Sequence, residues 1–165
     1  MKKIIVTERL YLRELNETDY KYFYNLNLDK DVLEYTGDKP FKNLEESKKF
    51  LKNYKPYKKY GCGRWAVIDK KNDAFLGWCG IKFTQSLNEY DIGFRFFKKY
   101  WGKGFATESA KSCIEYGINN LKINEIVGRA MKENKASIRV LEKIGLEYHA
   151  DFDFDGNKGV LYKTK

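Results

Sequence analysis

Phe94-Arg95-Phe96-Phe97-Lys98-Lys99-Tyr100-Trp101-Gly102-Lys103-Gly104-Phe105-Ala106-Thr107-Glu108 reads as the end of a strand, a glycine loop and the start of a helix. Before it, Tyr90-Asp91-Ile92-Gly93 continues the strand-forming run. After it, Ala106, Ala110, Cys113, Ile114, Gly117, Ile118 and Leu121 recur at helical spacing and give one apolar face. The first turn of such a helix has amides without intrahelical partners and the positive end of the helix dipole, and both attract phosphate. Gly102 and Gly104 let the backbone approach an anion closely, because no Cβ stands in the way. A plain strand-to-helix turn is the simpler account of the same glycines.

The chain has 165 residues, enough for one domain with a single core and too few for a second, so residues 1–165 are read as one domain. Hydrophobic residues at 42% and charged residues at 33% describe a soluble globular protein. No apolar run approaches the roughly 18 residues of a membrane span, and the opening Met1-Lys2-Lys3-Ile4-Ile5-Val6 has no sustained apolar core like that of a signal peptide. The expected location is the cytoplasm. Cys62, Cys79 and Cys113 are an odd set without C-x-x-C spacing, which argues against a disulfide framework or a zinc site. The net charge is +9, unevenly spread: residues 17–38 hold six acids and two bases, residues 39–64 nine bases and two acids. The lysines from Lys48 to Lys59 read as a solvated helix face, since no nucleic-acid fold signature accompanies them.

Ile4 to Arg13 reads as a first strand, followed by a helix start at Asn16-Glu17-Thr18-Asp19 and an aromatic helix face of Tyr20, Phe23 and Tyr24 that packs as core. Asn43 caps a lysine-rich helix that Pro56 is expected to end or kink. Residues 64–68, 74–81 and 88–97 read as an antiparallel meander. A helix over 105–121, a strand over 125–131, a helix over 135–144 stopped by Gly145, and a hairpin turning at Asp155-Gly156-Asn157 complete the chain.

Trp101-Gly102-Lys103-Gly104-Phe105-Ala106 resembles the pyrophosphate loop of the GNAT (GCN5-related) N-acetyltransferases, R/Q-x-x-G-x-G/A, with Trp101 in place of the first Arg or Gln. That replacement is common in the branch that acetylates the N-termini (alanine) of ribosomal proteins. Asn134-Lys135-Ala136-Ser137 with Val140-Leu141-Glu142-Lys143-Ile144-Gly145-Leu146 is similar to that branch's second signature, and Thr7-Glu8-Arg9-Leu10-Tyr11-Leu12-Arg13 resembles its first strand. The resemblance covers nearly the whole chain. It implies an α/β fold with a mixed, mostly antiparallel sheet of about seven strands flanked by about four helices, and acetyl-CoA as co-substrate without a metal.

By the same resemblance the strand before the loop splays from its neighbour. Phe94, Arg95 and Phe96 then offer backbone to the pantetheine arm, while Trp101, Gly102, Lys103, Gly104, Phe105, Ala106 and Thr107 hold the pyrophosphate. Asn134 touches the pantetheine and Ser137 lies near the thiol, where its hydroxyl protonates the departing thiolate; an ordinary N-cap and first-turn residue explain the same pair. Asp91 falls where the family often has Glu, two residues before a strand glycine, and is the candidate base; an ordinary sheet-face acid is the alternative. Glu108 is accounted for as an acid in a first helical turn.

Other signals fail on context. A P-loop needs G-x-x-x-x-G-K-[ST], which is absent, and a dinucleotide fingerprint needs a third Gly where Thr107 stands. Asp151-Phe152-Asp153-Phe154-Asp155-Gly156 copies the start of a calcium loop, but its twelfth position is Tyr162 rather than Glu. His149 is the only histidine, with no nucleophile at an interpretable spacing. The expected activity is transfer of acetyl from acetyl-CoA to a primary amine, a small molecule such as a polyamine or aminoglycoside or a protein N-terminus. The alternative is a non-catalytic CoA-binding, nucleotide-binding or RNA-contacting module. No membrane partner is expected, nucleic acid is disfavoured, and a homodimer is compatible with the reading.

Overall fold

The computed structural model describes residues 1–165. Eight strands form one sheet: β1 (Lys3–Val6), β2 (Leu10–Glu14), β3 (Arg64–Asp69), β4 (Phe75–Thr84), β5 (Glu89–Phe96), β6 (Ile126–Met131), β7 (Glu147–Phe154) and β8 (Asn157–Lys163). Their order is β1-β2-β3-β4-β5-β6-β8-β7, and every neighbouring pair is antiparallel except β5 and β6. The helices are α1 (Tyr20–Leu26), α2 (Lys30–Leu33), α3 (Leu44–Lys52), α4 (Pro56–Tyr60), α5 (Phe105–Asn119) and α6 (Lys135–Lys143).

Strand alternation assigns the two faces. Trp65, Val67, Cys79, Ile81, Ile92 and Phe96 point to one side, where α5 covers them with Ala110, Cys113 and Ile114. Ala66 and Ile68 point to the other and join Phe23 of α1, Leu51 of α3, Leu15 and Phe75 in a smaller cluster. Phe23 is buried and Tyr20 packs against the same cluster, so these two residues of the aromatic face of α1 are core as its spacing predicts, while Tyr24 is half-buried outside it. Asn16 forms a capping box with Asp19, and Asp19 also holds Arg13 in a buried ion pair at 2.8 Å, fixing the start of α1 against β2. The three cysteines are buried and unpaired, and burial pushes the Cys62 thiol up to about 11. No helix is long and apolar enough to cross a membrane.

The fold is the mixed, mostly antiparallel α/β sheet expected, with three differences in detail. The run from Ile4 to Arg13 is two strands, which is why the sheet has eight strands rather than seven. Thr7 turns the chain there: its N–H donates to Leu10 O at 2.9 Å, and its hydroxyl oxygen accepts from Leu10 N at 3.0 Å. Pro56 neither ends nor kinks the preceding helix. That helix has already stopped at Lys52, and Pro56 opens α4 from its first turn, where its missing N–H costs nothing. The helices number six rather than four, because α2 and α4 are single short turns whose spacing carries no periodic signal.

Candidate active site

β5 and β6 are parallel neighbours, yet their ladder holds only from Tyr90 opposite Ile126 to Ile92 opposite Gly128. Beyond that point β5 runs on to Phe96 against β4 alone, and β6 runs on to Met131 against β8. The strands part at their carboxyl ends, the place where open α/β sheets receive ligands. Phe97 N–H donates to Leu76 O of β4 at 3.0 Å. Since successive residues of a strand turn their peptide groups to opposite sides, those of Phe94 and Phe96 face the gap and those of Arg95 face β4. Trp101 Nε1 donates to Phe96 O at 2.9 Å, folding the indole against the strand edge and leaving Phe96 N–H toward the gap.

Both helices that leave this end of the sheet begin beside the gap, because β5 leads into α5 and β6 into α6. Gly102 and Gly104 have φ of 71° and 81°, which glycine adopts without the penalty a Cβ brings. Gly104 has no side chain to cap α5, and the first intrahelical bond runs from Glu108 N to Gly104 O at 3.0 Å. The amides of Phe105, Ala106 and Thr107 are therefore free at the positive end of the helix dipole. Lys98, Lys99 and Lys103 lie in the same exposed stretch. An open strand edge leading to an uncapped helix start fits a ligand that is amide-bearing at one end and a pyrophosphate at the other.

On the far lip, Asn134 Oδ1 accepts from Ser137 N at 3.2 Å, so Asn134 is the N-cap of α6 and Ser137 lies in its first turn. Asp91 and Arg95 project from the sheet face opposite α5. Asp91 Oδ2 is paired with Arg64 Nη2 at 2.5 Å, and Arg64 Nη1 also donates to Gly80 O and Asp91 O. Gly93 makes room for this guanidinium: a Cβ there would stand 2.6 Å from Arg64 Cζ. Arg64 and Arg95 flank the Trp78 ring at 5.4 and 5.1 Å, and Trp78 Nε1 is buried without a partner. Arg95 bonds Asn27 Oδ1, itself buried at the end of α1, and Asp38 Oδ2 at 2.6 Å.

Sequence reasoning missed Arg64, because nothing local says that β3 lays it over Gly93 and against Asp91. It also passed over Arg9. Glu108 accepts from Thr7 Oγ1 at 2.6 Å, Arg9 N at 2.9 Å and Arg9 Nε at 2.7 Å. Partial burial works against its charge, but these donors outweigh it and hold the carboxyl below the usual glutamate range.

Comparison with known proteins places the chain in a family. Residues 9–147 match the family model of the acetyltransferase (GNAT) domain. The Bacillus subtilis protein YkkB is 35% identical over 151 residues, covering 89% of this chain and 87% of that protein. A crystal structure of a GNAT-family acetyltransferase from Bacillus anthracis superposes with a TM-score of 0.82 at 28% identity over 96% of each chain. A ribosomal α-N-protein acetyltransferase solved in complex with coenzyme A shares the fold, with a TM-score of 0.84 at 16% identity over 98% of this chain and 97% of that one.

Proposed function

The chain belongs to the GNAT acetyltransferase family, and on that premise we propose that it transfers acetyl directly to a primary amine in a ternary complex, with peptide or amino-acid α-amines as preferred acceptors. The family membership makes it an acetyl-CoA-dependent N-acetyltransferase; the acceptor and the residue roles are our reading. The observation that carries it is the β5 edge, which loses its partner after Ile92 and leads into the uncapped start of α5.

Bound acetyl-CoA supplies an activated thioester. Phe94 and Phe96 pair their free backbone groups with the pantetheine amides, and the amides from Phe105 to Thr107 take the pyrophosphate. An N–H of the β5 edge near Phe96 stabilises negative charge on the reacting carbonyl oxygen, a preorganised donor of the kind that usually contributes most to acyl transfer. Asn134 steadies the pantetheine from the other side. Asp91 receives the proton of the attacking amine, directly or through water, and the Ser137 hydroxyl gives one to the departing sulfur.

The acceptor follows from an energy comparison. At pH 7 the free base costs roughly 4–5 kcal/mol for a lysine-like amine and roughly 1 kcal/mol for an α-amine. Asp91 already holds Arg64 on one oxygen, and no histidine or lysine bonds to it. A site with one carboxylate oxygen left to take a proton suits an amine whose free base is cheap at pH 7, an α-amine, better than a lysine-like one. The test is acetyl-CoA-dependent thiol release with peptide α-amines, lysine side chains and polyamines from pH 7 to 9. The expected result is faster acetylation of α-amines at pH 7, with the gap narrowing as pH rises. Preference for a polyamine or aminoglycoside at pH 7 would remove the α-amine assignment and leave the acetyl-donor site standing.

A further inference from the structure

We propose that Arg9, through a clasp with Thr7 and Glu108, is a positioning residue that holds the glycine loop in the shape that receives the donor's pyrophosphate; the proposal rests on the acetyl-CoA reading of that loop. The turn between β1 and β2 and the start of α5 are 99 residues apart in sequence, yet Arg9 and Glu108 join them through both backbone and side chain. Arg9 Nη1 donates to Lys103 O at 2.9 Å, the carbonyl of the peptide between Lys103 and Gly104. The guanidinium carbon lies 4.4 Å from the centre of the Phe105 ring, and Nη2 would be 3.3 Å from a Cβ on Gly104. One arginine thus bonds the carbonyl of Lys103 and lies over the ring of Phe105, on the two sides of Gly104.

Apart from this Arg9 bond, the Trp101 N–H on Lys98 O, the Trp101 indole on Phe96 O and the Glu108 N–H on Gly104 O, no hydrogen bond ties the stretch from Trp101 to Gly104 to the rest of the fold. Trp101, Gly102, Lys103 and Gly104 are exposed, and a Cβ on Gly102 would meet nothing within 4 Å. Two glycines in left-handed conformation leave many alternative backbone shapes, and a loop ordered before binding spares the ligand that entropic cost. Packing in the core does not need this contact, since the Arg9 side chain is 43% exposed and its partners are the carbonyl of an exposed loop residue and a partly buried carboxylate. The charge arrangement points the same way. A guanidinium at the positive end of a helix is electrostatically disfavoured by itself, and Glu108 compensates it there. When a pyrophosphate arrives, the same guanidinium becomes favourable, so the clasp couples loop shape to an anionic ligand.

The test compares wild type, Arg9→Gln, Glu108→Gln and the double variant with two donors, acetyl-CoA and acetyl-pantetheine, which lacks the pyrophosphate. Thermal melting of each variant identifies any that fail to fold, and the near-isosteric Glu108→Gln keeps the comparison alive if Arg9→Gln does. The expected result is a rise in KM for acetyl-CoA on the order of 10-fold in either single variant, with kcat and the acceptor KM within about twofold. The double variant should be no worse than the singles, because one unit has been broken twice. With acetyl-pantetheine the variants should match wild type. A loss confined to Arg9→Gln, or equal losses with both donors, would overturn the clasp as a loop-positioning device. Unchanged acetyl-CoA kinetics in the variants would overturn it as well, while a wild-type protein that binds no acetyl-CoA would remove the donor reading itself.

Discussion

Gly104 is the residue at which local geometry and ligand chemistry make the same demand. Its φ of 81° is strained for any β-branched side chain, at a cost of roughly 1–3 kcal/mol, and the position is exposed rather than packed. Gly104→Val should therefore leave a folded protein that has lost most of its CoA affinity, as calorimetry would measure; unchanged affinity in the folded variant would remove the loop from the donor site. On the proposed mechanism, Asp91 and Ser137 serve the chemistry rather than donor binding. Asp91→Asn and Ser137→Ala should each lower turnover on the order of 10²-fold with little change in CoA affinity, and wild-type rates in both would assign the proton transfers to water. The Arg64 pair adds a constraint the sequence does not display: one oxygen of Asp91 is already engaged.

At the level of elements, two asparagine caps separate structural from functional roles. Asn43 caps α3 by accepting from Glu46 N at 2.9 Å, and Asn134 caps α6 from beside the gap. Removing either cap should cost about 1 kcal/mol of stability. Asn43→Ala should do only that, whereas Asn134→Ala should also weaken CoA binding, read as Tm against CoA affinity in the same two variants. Equal effects on affinity would make Asn134 a cap and nothing more. These caps, the meander and the hairpin at Gly156 were legible because their signals are local: Asx side chains, alternation and turn residues within a few positions. The break between β1 and β2 was not, because Thr7-Glu8-Arg9 has no glycine or proline. That turn is held partly by Glu108, 101 residues away from Thr7. Pro56 was misread for a related reason, since the same ring serves equally to stop one helix or to open the next. The glycine loop was legible as a strand-to-helix turn with left-handed glycines, but the Arg9 clasp and the Arg64 pair are tertiary contacts with no local trace.

For the whole molecule, the charge is +9, and the loop region concentrates part of it in Lys98, Lys99, Lys103 and Arg9. Asp31 offsets Lys98 and Glu108 offsets Arg9, which leaves Lys99 and Lys103 outside any ion pair. A polyphosphate donor should thus be drawn to this end of the sheet before it makes any contact, and such steering weakens with salt. The Debye length falls from about 30 Å at 0.01 M to about 8 Å at 0.15 M, so exposed lysines a loop's width from the ligand act at the first ionic strength and are largely screened at the second. The fold rests on other terms: apolar clusters on both sheet faces and the buried Arg13–Asp19 pair, which salt screens much less. The expected outcome is a several-fold rise in KM for acetyl-CoA between these ionic strengths, with little change for acetyl-pantetheine and little change in Tm. Lys103→Gln should flatten that salt dependence without altering turnover at saturating donor. Equal salt sensitivity for the two donors would show that the field acts on the acceptor rather than on the pyrophosphate end, and would shift the role of the basic surface to the other substrate.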